Sequence, residues 1–157
     1  MWAACFGERE LRVAPWLALV PLFLLIARLP ERGATWEAFR LGFAHGFATW
    51  LLGVWWIAPT LTTYGQLGTA LGIAGLVLLA AYLGLFHAVF AALAARARSS
   101  SWVWTALGWA GLWTVLEVVR GWLITGFPWN LAAYAWVGVA LLVVGQVAKR
   151  GQRWFSG

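Results

Sequence analysis

The chain has 157 residues, of which 63% are hydrophobic and only 10% are charged. A soluble domain is typically about 45–50% apolar and about 25% charged, so this composition excludes a soluble protein and predicts an integral membrane protein. The formal net charge of +6 does not indicate nucleic-acid binding, because the basic residues stand in short clusters between apolar runs. Cys5 is the only cysteine, which excludes an intrachain disulfide.

The distribution of apolar residues predicts an all-α fold, a polytopic transmembrane helix bundle of about five spans. A membrane-spanning helix needs about 20 residues. The first segment is the weakest, because Pro15 and Pro21 lie inside it. We predict a single transmembrane domain over residues 1–157, with no soluble domain. Its spans are expected at about 13–29, 38–58, 66–95, 102–119 and 131–148.

Lysine and arginine are concentrated in alternate loops, as the positive-inside rule requires. The loops at 28–40 and 96–101 and the C-terminal tail are rich in these residues, whereas the loop at 58–66 carries no charge. We therefore predict that the two basic loops and the tail are cytoplasmic. The 58–66 loop, the 120–130 turn and the N-terminal residues are predicted to face outward.

Several residue types have two interpretations. The 14 tryptophans indicate aromatic belts at the membrane–water interfaces, or a lipid groove lined by Trp. The GxxxG patterns at 42–46 and 68–72 predict close helix packing. His45 and His87 stand alone in apolar helices, and we interpret them as packing residues. No metal site or cofactor is predicted.

Glu117 and Arg120 are three residues apart on a predicted helix, so they share one face and can pair. The pair is interpreted as a structural ion pair that fixes the helix end, or as a site where Arg120 contacts a phosphate or carboxylate at the outer surface. A turn follows at Gly126 and Pro128, with Trp122 beside it.

The run from Glu117 to Trp129 resembles the segment Glu-x-x-Arg-Gly-Trp-Leu-x-Thr-Gly-Phe-Pro-Trp of the membrane domain of apolipoprotein N-acyltransferases. That family transfers an acyl chain from a phospholipid to the N-terminal diacylglyceryl-cysteine of lipoproteins, in the bacterial cytoplasmic (inner) membrane. The resemblance implies that this segment lies near the lipid-substrate entrance. It makes Arg120, Trp122, Phe127 and Trp129 candidates for lipid access, and Glu117, Gly121, Gly126 and Pro128 structural residues of the motif.

The chemistry of the family resides in a nitrilase-like domain with a Glu–Lys–Cys triad, which forms a thioester acyl-enzyme. Here Cys5 and the only lysine, Lys149, lie at opposite ends of the sequence, and their surroundings do not match that domain. We therefore expect no catalytic residue in this chain, and no activity when it is alone. The segment Ala14–Leu22 resembles the second helix of the family, so the first family helix is expected to be missing.

These observations predict a membrane anchor that contributes part of a lipid-access surface, encoded by a truncated reading frame or by one piece of a split gene. The expected partners are phospholipid and lipoprotein substrates and a separately encoded nitrilase-like domain. Two alternatives stay open. The first is a non-catalytic scaffold that binds lipids or a partner, and the second is a small transporter, which would need paired polar residues near mid-bilayer or a repeated half.

Overall fold

The computed structural model describes residues 14–30 and 33–125, and all regular structure in this part of the chain is helical. The predicted all-α fold is confirmed, whereas the predicted fifth span at 131–148 lies outside the described residues. The helices are α1 (Ala14–Arg28), α2 (Thr35–Gly53), α3 (Ile57–Thr63), α4 (Thr69–Arg96) and α5 (Trp102–Trp122), and a 3-10 turn at Leu123–Thr125 follows α5.

Two of the described helices, α4 and α5, are long and apolar enough to cross a membrane. A third candidate span consists of α2 and α3 together, which are bent by 50° at the break between them. Helix α1 has 15 residues, fewer than the ~20 that a span needs. It continues through Pro21 as one helix, and Pro15 occupies its first turn, where a missing N–H costs nothing. The described part therefore holds two or three candidate spans.

The second predicted span, 38–58, is not one continuous helix. Helix α2 ends at Gly53 and α3 begins at Ile57. Pro59 explains the break, because its nitrogen cannot donate a hydrogen bond and its ring would collide with the carbonyl of Trp55 in a straight helix. The hydroxyl of Thr60 donates to the Trp56 carbonyl at 2.8 Å, which satisfies a backbone group beside the bend.

Helices α2 and α4 pack antiparallel through small residues. A Cβ atom built on Gly42 would lie 2.6 Å from the Cβ of Ala91, and one built on Gly46 would lie 2.6 Å from the Cβ of His87. From the opposite side, a Cβ on Gly84 would lie 3.0 Å from the backbone nitrogen of Phe47. The predicted packing role of the 42–46 pattern is therefore confirmed.

The second GxxxG pattern packs through only one of its glycines. A Cβ on Gly72 would lie 2.6 Å from the Cγ2 of Thr62, so this residue lets α3 approach the beginning of α4. Gly68 immediately precedes α4, and no atom lies within 4 Å of a Cβ built on it.

The hydrophobic core has two parts along the bundle. The first contains Leu19, Leu22 and Ile26, whose spacing of three and four places them on one face of α1. They join Phe90 and Trp109 from α4 and α5. The second part lies where α2 meets the first half of α4 and consists of Trp50, Val54, Ala80 and Leu83.

Arg98, in the connection between α4 and α5, caps the C-terminal end of α1. Its guanidinium donates to the carbonyl oxygens of Leu29 and Pro30, each at 2.8 Å, and more weakly to those of Ile26 at 3.4 Å and Ala27 at 3.3 Å. The last carbonyls of a helix have no partner within the helix, so an arginine is well suited to them. The contact places both arginine-rich loops at one end of the bundle, as the predicted orientation requires.

The glycine packing predicts different outcomes for the same substitution at two positions. Gly46→Ala should lower the free energy of unfolding by about 1–3 kcal/mol, because the added methyl overlaps His87. Gly111→Ala in α5 should have no such cost, since nothing lies within 4 Å of its built Cβ. Reversible unfolding of both variants in bicelles measures the difference, and equal stabilities would contradict close packing of α2 on α4.

The capping role of Arg98 can be tested against its neighbour Arg96, which is exposed. Arg98→Ala should lower the free energy of unfolding by about 1–3 kcal/mol, because hydrogen bonds from a charged donor are among the stronger ones. Arg96→Ala should change it by about 0.5 kcal/mol or less. Hydrogen exchange of the α1 backbone should rise in the first variant only, and unchanged exchange there would exclude the cap.

Candidate functional site

The two ends of α5 carry exposed tryptophans. Trp102 and Trp104 lie at the beginning of the helix and are 80% and 68% exposed, and Trp122 is its last residue and is 85% exposed. A rise of 1.5 Å per residue separates the two ends by roughly 27–30 Å, close to the thickness of a hydrocarbon core. The tryptophans on α5 thus have the spacing of two interfacial belts.

Other tryptophans lie inside the bundle, beside a groove of about 690 Å³ between α1 and α5. Trp109 and Trp113 are buried and line this groove, and the indole nitrogen of Trp109 donates to the carbonyl oxygen of Ala94 at 3.0 Å. The groove extends along α5 from Trp102 to Glu117, with Arg98 at one end. The tryptophans of α5 therefore divide between the two helix ends and the wall of a groove.

Glu117 and Arg120 form the predicted ion pair, with 3.8 Å between Arg120 Nη2 and Glu117 Oε1. The pair lies inside the bundle rather than on its outer surface, since Arg120 is only 3% exposed. The guanidinium carbon lies 4.8 Å from the centre of the Trp50 ring, in a cation–π contact that joins α5 to α2. Trp122, two residues later, points outward. A direct contact between Arg120 and a lipid headgroup stays a prediction.

The two histidines are neighbours in space, although the sequence shows them as isolated residues. The ring centres of His45 and His87 are 5.6 Å apart, and His87 packs edge-on against Trp113 at 5.0 Å. Glu117 and Arg120 border a small gap beside His87 from α5. We call His45, His87, Glu117 and Arg120 the buried polar cluster. In the described part of the chain, no three potential metal-ligating residues lie together.

This cluster is not evident in the sequence, because its contacts cross between helices. One signal could have indicated it: His45 precedes Gly46, one of two glycines of α2 whose built Cβ would lie 2.6 Å from an atom of α4. A histidine beside such a glycine is brought against the neighbouring helix, and the only other histidine lies in that helix.

The backbone leaves α5 through a strained turn that is tied to α4. Ile124 has φ 53° and ψ 60°, a left-handed conformation that is rare for a β-branched residue. The hydroxyl of Tyr82 donates to the carbonyl oxygen of Leu123 at 3.3 Å. This turn leads into the predicted motif turn, whose Gly126, Phe127, Pro128 and Trp129 lie outside the described residues.

Gly121 lies within the described part of the motif, and no atom lies within 4 Å of a Cβ built there. Packing among the described residues therefore does not require a glycine at this position. Its predicted structural role stays a prediction.

Helix α4 is longer than its neighbours and extends past the end of α5. Tyr82 lies level with Leu123, so the preceding residues of α4, Thr69–Ala81, reach roughly 20 Å farther at 1.5 Å per residue. Leu71 and Leu78 in this extension are 60% and 70% exposed. Together with α3, it forms an apolar hairpin, residues 57–81, on the side of the bundle where Trp122 lies.

Exposed apolar helices, interfacial tryptophans and a buried charged cluster define a membrane-embedded helical domain. The sequence model of the apolipoprotein N-acyltransferase N-terminal domain matches residues 1–149. The apolipoprotein N-acyltransferase of Geobacter metallireducens is 37% identical over 132 residues, which are 84% of this chain and 24% of that protein. The relative from Azotobacter vinelandii is 39% identical over 123 residues, 76% of this chain and 23% of that protein.

The chain belongs to the apolipoprotein N-acyltransferase family, as the resemblance of residues 117–129 predicted. The match covers most of this chain, and the chain spans about a quarter of the length of these relatives. The shared region is the N-terminal domain of these relatives.

The coupling between Glu117 and Arg120 can be measured with a double-mutant cycle. Arg120→Met should destabilise the bundle by about 3–5 kcal/mol, because it leaves a partly buried carboxylate without its cation. Glu117→Gln in the same chain should restore part of this loss. Reversible unfolding of the single and double variants in bicelles gives the coupling energy, and strictly additive effects would show that the two side chains act independently.

Proposed function

We propose that this chain forms the membrane-embedded part of an apolipoprotein N-acyltransferase. The family resemblance implies transfer of an acyl chain from a phospholipid to the amino group of an N-terminal diacylglyceryl-cysteine. The observation that carries the proposal is the family match over residues 1–149. The chain would cross the bacterial cytoplasmic membrane several times and anchor the enzyme there.

The proposed lipid-access surface lies where α5 ends. Trp122 is exposed there, the apolar hairpin stands on the same side, and the sequence continues into Phe127 and Trp129. Arg120 supports this region from inside the bundle through its contacts with Glu117 and Trp50. An amphipathic ring such as that of Trp122 is suited to the level of lipid headgroups, where an acyl donor would be presented.

We further propose that the chain does not transfer acyl groups by itself. A thioester mechanism needs a nucleophilic cysteine with an adjacent base and a cation. Cys5 has no histidine or lysine near it in the sequence, and Lys149 is the only lysine. The nitrilase-like domain that the resemblance implies would supply these groups.

The proposal predicts opposite results in two assays. The purified chain in phospholipid vesicles should not acylate a synthetic diacylglyceryl-cysteine peptide, as measured by mass spectrometry. A chimera in which residues 1–149 replace the matching region of the Geobacter metallireducens relative should acylate the same peptide. Trp122→Ala should lower the rate of the chimera, and Val118→Ala, at another exposed position on α5, should leave it unchanged.

Acyl transfer by the isolated chain would refute the claim that it is inactive alone. A chimera that folds and binds phospholipid but never acylates the peptide would refute the proposed enzyme role and support the scaffold alternative. An equal rate in the Trp122→Ala and Val118→Ala chimeras would remove Trp122 from the lipid-access surface.

A further inference from the structure

A small gap lies within the buried polar cluster, between α4 and α5. Its volume is about 10 Å³, and its walls are Phe86, His87, Trp113, Leu116, Glu117 and Arg120. A bound water needs roughly 10–15 Å³ and two to four polar partners. We propose that one water molecule binds in this gap and bridges Arg120, Glu117 and His87.

The geometry of the ion pair is the first argument. Arg120 Nη2 and Glu117 Oε1 are 3.8 Å apart, close enough for attraction between charges but too far for a direct hydrogen bond. A polar contact of this length is typical of groups that share a water. Both side chains line the gap, so a water there lies within reach of both.

The hydrogen-bonding capacity of the buried groups is the second argument. Within residues 14–30 and 33–125, Arg120 Nε and Nη2 have no hydrogen-bond partner, and neither ring nitrogen of His87 has one. The Leu83 carbonyl lies one turn from His87 on the same helix without reaching hydrogen-bond geometry. Buried polar groups are nearly always satisfied by protein or by ordered water.

A water molecule matches these requirements because it can both accept and donate hydrogen bonds. It can accept from an N–H of Arg120, donate one hydrogen to the Glu117 carboxylate and donate the other to an unprotonated ring nitrogen of His87. A phosphate would not fit in about 10 Å³. Any anion would also face the Glu117 carboxylate. The water site therefore explains the size, the charge balance and the orientation of the groups around the gap.

The chain contains two histidines, which makes the site accessible to solid-state NMR. The 157-residue chain, labelled with 15N-histidine, would be reconstituted in phosphatidylethanolamine–phosphatidylglycerol vesicles, and a His45→Gln variant would assign the ring signals. The measurement is the rate at which magnetisation passes from water protons to the His87 ring. We expect this rate to exceed several-fold that of the His87 backbone amide, which serves as an internal reference in the same helix.

Two substitutions at the wall of the gap change its size in opposite directions. Leu116→Phe should fill the gap and reduce transfer to the level of the backbone amide, whereas Val118→Phe, on the exposed face of α5, should leave it unchanged. Leu116→Ala enlarges the gap, so the transfer rate from water to the His87 ring should stay the same or rise. This variant provides the test if Leu116→Phe prevents folding. Ring transfer no faster than the amide in the unmodified chain, or unaffected by Leu116→Phe in a folded protein, would overturn the proposal. None of these outcomes depends on acyl transfer.

Discussion

The close contact between α2 and α4 is the constraint on which the rest of the bundle depends. Gly42, Gly46 and Gly84 allow the two backbones to approach until a single methyl would collide with the opposite helix. In a bilayer, where lipid tails are as apolar as the side chains, such packing supplies stability that hydrophobic burial cannot. The same approach brings His45 against His87 and Trp50 within range of α5. The buried polar cluster therefore depends on the close packing that these glycines allow.

The polar cluster in turn determines how α5 is held. Helix α5 is mostly exposed, and only Trp109, Trp113 and Arg120 are buried along its length. These residues lie on one stripe, with spacings of four and seven, and each reaches α4 or α2 through a ring or a guanidinium. Where α5 meets α2 and α4, aromatic and charged contacts thus take the place of glycine packing. These contacts leave room for the groove between α1 and α5.

The sequence predicted what depends on composition and on neighbours within one helix. The length of the apolar segments predicts the helical class and the beginning of α5 at Trp102. The spacing of three residues predicts the pairing of Glu117 with Arg120. The break near Gly53 could also have been predicted, because Pro59 prohibits a straight helix four residues earlier. Apolar length alone does not show the break, because the apolar run continues to Ala58.

Contacts between distant parts of the chain were beyond the sequence. Arg98 caps a helix that ends 70 residues earlier, at Arg28. Arg96, the last residue of α4, is exposed, and this difference from Arg98 depends on the three-dimensional path of the loop. The burial of Arg120 also depends on a distant part of the chain. An arginine at a helix end is usually interfacial. Arg120 lies inside the bundle because Trp50 of α2 and Trp113, two turns earlier in α5, are positioned around it.

The unequal lengths of α4 and α5 have a consequence for the membrane around them. The tryptophans of α5 match one hydrocarbon thickness, whereas α4 extends roughly 20 Å past the end of α5 with exposed leucines on its surface. An upright α4 would push these leucines into water, and a tilted one would keep them in lipid at a modest cost in bilayer deformation. The 50° bend between α2 and α3 lets α3 follow α4 in either arrangement, with Gly72 at their contact. The apolar hairpin is therefore the part of the described bundle that exceeds one hydrocarbon thickness, and it lies on the side where α5 ends.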